Sequence, residues 1–293
     1  MFSTNKGKEP IMDQQKNTIT TPAKDPLYVI EQDRKRLLGA ILNIPEGHIR
    51  NVLLVGPTGC GKTDLARWLA GEHQRPYYEA MVGQAIEPLD LLGTKGVKDG
   101  ATFFKESRFV EAIETEGCVV CLDEINRCTP NILNMLLPLM DHRGEVYVEE
   151  LSRNVRVANN VVFMATANIG SQFSGTYRFD EAIVSRFTYR FEVSFLDEDE
   201  EANMIQKRCG VNDEDARLLA KLAATLRSKI DSYGGTLTKL VSTRQLIATA
   251  QLIATGINIT DALTATVVPS FDDDGGTNSE RAQVLQSIQL ICG

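Results

Sequence analysis

The sequence predicts an α/β protein, in which a three-layer αβα domain with a parallel sheet is followed by a small all-helical domain. Three observations lead to this expectation. Apolar strand patterns alternate with helical patterns up to residue 195, which is typical of a parallel sheet covered on both faces. Beyond residue 195 only helical patterns follow. A glycine-rich segment separates the first strand from the helix after it.

The α/β domain is expected over residues 27–195, after a polar N-terminal arm (residues 1–26) that is predicted to be flexible. A first helix is predicted over Leu27–Leu42. The strands of the sheet are predicted at Asn51–Val55, Pro76–Glu79, Cys118–Leu122, Val161–Thr166 and Tyr189–Val193. The helices between them are predicted at Lys62–Glu72, Arg108–Glu116, Asn131–Met140 and Asp180–Phe187.

Two hairpins interrupt this alternation. The first is predicted over Leu92–Phe104, with its turn at Asp99-Gly100, a dipeptide that favours tight hairpin turns. The second begins at Arg143–Val148 and returns through Asn154–Val157.

The second domain is expected over residues 196–293, including a C-terminal tail. Its helices are predicted at Glu198–Cys209, Asp213–Ile230, Thr243–Thr255, Thr260–Val268 and Glu280–Ile291. The acidic run 197–201 is most simply explained as a solvated helix start, because carboxylates stabilise helix N-termini.

Composition and charge argue against several classes of protein. No apolar run approaches the roughly 20 residues of a membrane span, and the polar segment 1–25 is not expected to act as a secretory signal. A net charge of −8 argues only weakly against a dedicated nucleic-acid surface, since an acidic total is compatible with a local basic patch. Cys118 and Cys121 are three apart on a predicted strand, so they point to opposite faces and cannot share a metal. Reduced thiols and a cytoplasmic location are therefore expected.

The glycine-rich segment has the complete pattern G-x-x-x-x-G-K-[ST] of a phosphate-binding loop (P-loop). Its backbone N–H groups would face the phosphates of ATP, and the lysine would reach the β- and γ-phosphates. Thr63 Oγ1 would bind Mg²⁺. The residues expected to bind the nucleotide are Gly56, Pro57, Thr58, Gly59, Cys60, Gly61, Lys62, Thr63 and Asp64.

Two further strands end in polar residues. Val119–Leu122 is followed by Asp123, which can hold Mg²⁺ opposite Thr63, and by Glu124, which can polarise the attacking water. The strand at Val161–Thr166 is followed by Asn168, whose amide could bond the water or the γ-phosphate, or could simply form a loop.

Taken together, these motifs resemble those of the AAA+ ATPases. The resemblance includes Asp123–Arg127, Ala165–Asn168, Ser185–Phe187 and Ser242–Arg244, which occur in family order. The MoxR branch is resembled by the motif Asp-Glu-Ile-Asn-Arg and by the helix after it. Residues 242–250 are most similar to the CbbQ/NorQ and CobS-like ATPases. The second domain would then be the helical lid of that family.

The resemblance implies further roles. Asn168 matches the sensor-1 position, Arg186 the arginine finger that reaches a neighbouring subunit, and Arg244 the sensor-2 arginine in the lid. Either arginine could instead form a surface ion pair. The competing arginines are Arg127, Arg178 and Arg190.

Function follows from the same resemblance. A homo-oligomeric ring, hexameric by resemblance to the family, would couple ATP hydrolysis to remodelling, activation or metal insertion in a separate protein. That partner could carry a von Willebrand-type domain. The hairpin residues that could contact it are Lys95, Lys98, Phe103, Phe104 and Tyr147, although ordinary hairpin packing explains them equally well. The alternatives are a DNA-directed AAA+ ATPase and a nucleotide-gated scaffold.

Overall fold

The structure, a computed structural model, describes residues 19–45, 47–98, 100–168, 181–231 and 237–293. Asp99, Arg178, Asp180 and residues 1–18 of the predicted arm lie outside the described residues, as does the side chain of Lys98. The described strands are β1 (Val52–Gly56), β2 (Tyr77–Ala80), β3 (Gly93–Lys98), β4 (Ala101–Glu106), β5 (Val119–Leu122), β6 (Glu145–Val148), β7 (Arg153–Arg156), β8 (Val162–Asn168) and β9 (Tyr189–Glu192). The described helices are α1 (Gln32–Leu42), α2 (Lys62–Glu72), α3 (Pro88–Leu92), α4 (Arg108–Ile113), α5 (Pro130–Met140), α6 (Glu181–Arg186), α7 (Glu198–Cys209), α8 (Asp213–Asp231), α9 (Thr243–Ala254), α10 (Ile259–Thr266) and α11 (Glu280–Cys292).

The centre of the first domain is a parallel sheet with strand order β2-β5-β8-β1-β9. Every residue of β5 and β8 is buried, because helices and loops cover both faces of these strands. The predicted α/β class with a helical second domain is confirmed. Cys118 and Cys121 pack into different cores on the two faces, as the strand spacing required.

The register of the sheet determines where the polar residues meet. Gly56 at the end of β1 pairs with Asn168 at the end of β8, and Leu122 at the end of β5 pairs with Ala165. The carboxyl ends of three neighbouring strands therefore meet at one edge of the sheet, next to the N-terminus of α2.

Both hairpins form, as the antiparallel pairs β3–β4 and β6–β7. They are linked to each other by ion pairs. Lys95 lies 3.4 Å from Glu150, and Arg153 lies 3.0 Å from Glu106. The short helix α3 before the first hairpin was not predicted; its five residues are too few for a periodic signal.

The described part of the predicted arm, residues 19–26, packs against the α/β domain instead of being free. Ile19 is buried, Thr20 O accepts a hydrogen bond from Tyr77 N, and Lys24 pairs with Glu72. The first helix begins only at Gln32, and the preceding residues, Leu27–Glu31, run along the surface near α2.

The helices α7–α11 enclose a separate apolar core. Their N-terminal caps follow the sequence: Asp197, Ser242, Asn258 and Ser279 each accept a hydrogen bond from the first turn of the following helix. In the described part of the chain, none of the helices has the length and apolarity of a membrane span.

Candidate functional site

The phosphate loop connects β1 to α2 and depends on its glycines. Gly59 and Gly61 have φ values of 77° and 91°, in the left-handed region that favours glycine. A Cβ on Gly56 would lie 2.0 Å from Val193 O, and one on Gly59 would lie 2.4 Å from Ser242 Cβ. The loop is therefore packed tightly against the end of the sheet on one side and the helical domain on the other.

Lys62 is the first residue of α2 and is buried against the loop. Its Nζ donates to Gly56 O (3.1 Å), Pro57 O (2.6 Å) and Asn168 Oδ1 (2.9 Å). Burial lowers the pKa of this ammonium group, and the charges of Cys60, Asp123 and Glu124 oppose that shift. These three acceptors hold the Lys62 ammonium group at the open end of the phosphate loop.

Asp123 follows β5 and accepts two hydroxyl hydrogen bonds. Thr63 Oγ1 and Thr166 Oγ1 each lie 2.7 Å from Asp123 Oδ1. Mg²⁺ takes oxygen ligands in an octahedron, where neighbouring oxygens lie about 2.9 Å apart. Thr63 and Asp123 fit that donor set. Thr166 was missed, although it lies two residues before Asn168 and so faces the same side of β8.

Glu124 occupies the left-handed region, with φ 54°, which is uncommon for a residue with a side chain. Its Oε1 accepts from Asn168 Nδ2 at 3.1 Å, and its Oε2 lies 3.3 Å from Arg127 Nη1. Its backbone N–H donates to Thr166 Oγ1 at 3.0 Å. This geometry points the carboxylate toward the end of β8.

Asn168 joins the lysine to the carboxylate. Its oxygen accepts from Lys62 and its nitrogen donates to Glu124, while its own carbonyl accepts from Asn126 Nδ2 at 2.9 Å. Asn168 is the last residue of β8 and not a loop residue, because the strand runs two residues beyond its predicted end. Lys62, Thr63, Asp123, Glu124 and Asn168 thus form one hydrogen-bonded cluster.

Arg186 lies apart from that cluster. Its carbonyl accepts a hydrogen bond from Asn51 Nδ2 at 2.9 Å, and Asn51 precedes β1. The five residues of β1 separate Asn51 from the phosphate loop by about 16 Å at roughly 3.3 Å per residue. The guanidinium contacts Asp141 (3.5 Å) and Ser185 (3.1 Å). It therefore stands at the amino edge of the sheet, away from its own loop.

The competing arginines have partners as well. Arg190 Nη2 donates to Val184 O at 2.9 Å, and Arg127 pairs with Glu124. Arg178 lies outside the described residues.

Arg244 is at the start of α9, the helix that meets the phosphate loop. Ser242 caps this helix in a capping box with Gln245, and the same Ser242 contacts Gly59. The Arg244 side chain is exposed, and within the described residues it has no hydrogen bond or ion pair. The positive end of α9 therefore lies beside the loop.

A cleft of about 250 Å³ lies beside the loop and was not foreseen from the sequence. It is lined by Tyr28–Glu31, by Cys60 and by Val193–Asp197. Tyr28 stacks on Trp68 with ring centroids 5.3 Å apart. Cys60 Sγ contacts Val193 O at 3.2 Å, and burial raises the pKa of the Cys60 thiol, which disfavours the reactive thiolate. The cleft therefore adjoins the phosphate loop through Cys60.

Comparisons with known proteins agree with this geometry. Residues 51–187 match the family described as "AAA domain (dynein-related subfamily)", and residues 201–288 match "CbbQ/NirQ/NorQ C-terminal". The protein named "Putative chaperone BssE" from Thauera aromatica is 36% identical over 86% of each chain. The NorQ protein of Paracoccus denitrificans (strain Pd 1222) is 27% identical over 76% of this chain and 80% of its own.

A solved structure supports the fold alone. A RuvB mutant from Thermotoga maritima superposes with a TM-score of 0.53 at 19% identity, covering 84% of this chain and 73% of its own. The two family matches and the BssE similarity are more specific than this. They establish that the chain belongs to the MoxR-like AAA+ ATPases close to CbbQ and NorQ, and that it is an ATPase.

Proposed function

We propose that the chain forms a ring in which ATP hydrolysis drives the remodelling of a separate client protein, its activation, or the insertion of a metal into it. The observation that carries this proposal is the separation of Arg186 from the cluster at the phosphate loop. An arginine at the opposite edge of the sheet can complete a site only in a neighbouring subunit. The ring is proposed to contain six subunits, by resemblance to the family.

ATP is proposed to bind with its phosphates in the loop and its base in the 250 Å³ cleft. Lys62 would exchange its carbonyl partners for phosphate oxygens, which are stronger acceptors because they are charged. Thr63 and Asp123 would hold Mg²⁺, which supplies charge neutralisation on the phosphates.

Hydrolysis is proposed to depend on Glu124 and Asn168. Glu124 would accept a proton from the attacking water, and Asn168 would hold both the carboxylate and Lys62 in place. Arg244 would contact the γ-phosphate from the helical domain of the same subunit. Arg186 of the adjacent subunit would stabilise the charge that builds on the phosphoryl oxygens in the transition state.

The two linked hairpins are proposed as the surface that contacts the client. Val97, Phe103 and Tyr147 are exposed there, at 74%, 41% and 60% of their possible area. Both phenylalanines also pack within their own hairpin, Phe103 on Gly96 and Phe104 on Gly93. The name of BssE describes a chaperone, which suits a client protein. We propose that this client, or an adaptor to it, is a separate chain that could carry a von Willebrand-type domain.

A DNA-directed role has less support from the structure. DNA binding needs a basic surface, and Lys95, one of the two hairpin lysines, is paired with Glu150. The likeness to RuvB, at 19% identity, concerns the fold only.

Mixing two inactive variants tests the ring. Glu124→Gln removes the proposed base, and Arg186→Ala removes the proposed trans arginine. When the two are mixed in equal amounts, about a quarter of the interfaces would join an intact Glu124 to an intact Arg186 of the neighbour. We expect the mixture to recover about that fraction of wild-type ATP turnover. No recovery in mixtures that are shown to co-assemble would contradict the shared site.

A further inference from the structure

A buried ion pair joins two helices of the helical domain. Glu201 on α7 and Arg227 on α8 are only 1% and 8% exposed. The pair is bidentate: Arg227 Nη1 lies 2.7 Å from Glu201 Oε2, and Nη2 lies 3.0 Å from Oε1. Compared with apolar side chains of similar size, a buried pair contributes little net stability, because both charges must be desolvated. Its other contacts indicate what it holds in place.

Two of these contacts flank Ser242, the residue that touches the phosphate loop. Arg227 Nε donates to Val241 O at 2.8 Å, and Thr243 Oγ1 donates to Glu201 Oε1 at 2.7 Å. Ser242 lies between them and packs on Gly59. The ion pair therefore fixes the chain on both sides of this contact, immediately before Arg244.

A third contact reaches the cleft. The guanidinium of Arg227 lies 3.7 Å from the centre of the Phe195 ring, a cation–π arrangement. Phe195 also lines the 250 Å³ cleft.

We propose that Glu201 and Arg227 are positioning residues of the nucleotide site. They hold the start of α9 against the phosphate loop and Phe195 against the cleft, so that the relative position of these two contacts is fixed. Arg244 can then distinguish ATP from ADP by its γ-phosphate. This inference rests on the proposed contact between Arg244 and the nucleotide.

Thr243→Val is the sharpest test, because it removes one hydroxyl while the ion pair keeps both of its direct hydrogen bonds. The affinities for ATP and ADP are measured in the Glu124→Gln background, where ATP persists. We expect ATP to bind about three- to tenfold more weakly, the range for one lost hydrogen bond, with ADP binding unchanged. Thr225→Val is the matched control, since that hydroxyl bonds only Lys221 O on the outside of α8, and it should leave both affinities unchanged.

A double-mutant cycle with Arg244→Ala separates positioning from general destabilisation. If Thr243 acts through Arg244, the double variant should lose no more ATP affinity than Arg244→Ala alone. Additive losses, or a lower melting temperature with an unchanged ATP:ADP ratio, would overturn the proposal. If Arg244→Ala itself leaves the ratio unchanged, the proposed role of Arg244 fails and the inference fails with it.

Arg227→Lys adds an independent measurement. It keeps the charge but cannot donate to both Glu201 oxygens and to Val241 in the same planar arrangement. We expect weaker binding of ADP as well as ATP, because the planar guanidinium that packs on Phe195 is lost together with the α9 contact. A stably folded Arg227→Lys protein with wild-type affinity for both nucleotides would overturn the proposal.

Discussion

The two edges of the parallel sheet are built differently. At the carboxyl edge, Lys62, Thr63, Asp123, Glu124 and Asn168 are joined by hydrogen bonds of 2.7–3.1 Å. At the amino edge, the Arg186 guanidinium lies in a looser arrangement, 3.5 Å from Asp141 and partly exposed. One edge carries the residues proposed to bind and hydrolyse ATP. The other carries the arginine proposed to act in a neighbouring subunit.

Because of this difference, the two edges of the sheet are not equivalent as surfaces for contact with another subunit. A site that needs both edges is formed only when the amino edge of one subunit faces the carboxyl edge of the next. Such head-to-tail contacts are heterologous, and they close into rings when the rotation allows it. The long contact between Arg186 and Asp141 is compatible with the proposed ring, because a guanidinium fully satisfied within its own subunit would not be free to bind a neighbour's phosphate.

Replacement of Arg186 should have the largest effect on turnover. For Arg186→Ala we expect kcat to fall by about 10³-fold or more, the usual range for an arginine finger, with ATP affinity per subunit unchanged. Arg190→Ala is the matched control at the same edge, where the guanidinium bonds Val184 O. Steady-state turnover and equilibrium binding measure the two quantities. A large loss in Arg190→Ala and none in Arg186→Ala would reassign the finger.

Glu124→Gln tests the other edge. We expect turnover to fall by about 10²- to 10⁴-fold, the usual contribution of a general base, while ATP binding and assembly persist. Glu79→Gln, on the neighbouring strand β2, serves as the control and should keep wild-type turnover. Unchanged turnover in Glu124→Gln would show that another group activates the water.

Asn168→Ala should have a smaller effect, since it removes a residue that orients both neighbours but does not itself react. We expect kcat to fall by about 10- to 100-fold, less than for the loss of a strong oxyanion donor, with a modest rise in KM because Lys62 loses one acceptor. Asn126→Ala, which removes only the hydrogen bond to the Asn168 carbonyl, should lie between this variant and wild type. If Asn126→Ala lowered kcat more than Asn168→Ala, the orienting role would belong to Asn126.

Local motifs made most of the carboxyl edge predictable. The phosphate loop and the Asp123-Glu124 pair are contiguous in sequence, and parallel strands bring their ends together. Thr166 and the cleft at Tyr28 were not predicted, because their roles depend on neighbours that are distant in sequence. The segment with Tyr28 was even assigned to a helix, since apolar residues there fit a helical period.

The environment of Glu201 also depends on a residue that is distant in sequence, and here the sequence-based expectation was partly wrong. The acidic run 197–201 was interpreted as a solvated helix start, and this is correct for Asp197, which caps α7. It is wrong for Glu201, which is buried. One turn of helix rotates Glu201 toward the core, and its partner Arg227 lies 26 residues further along the chain. Sequence spacing alone does not reveal that pairing.

The smallest expected effect concerns the residue that holds Arg186. The hydrogen-bonded Arg143 guanidinium lowers the pKa of Asp141 to about 2. Because this is below the unfolded-state value of about 3.9, the ion pair stabilises the fold fully above about pH 4 and less as the pH falls toward 2. Asp141→Asn should therefore lower the free energy of unfolding by about 1 kcal/mol at pH 7, since Arg143 is half exposed and screened by solvent. Urea unfolding at pH 7, 5 and 3 should show this difference constant at first and then shrinking. If the difference in unfolding free energy stayed constant down to pH 3, Asp141 would stabilise the fold through its packing and not through its charge.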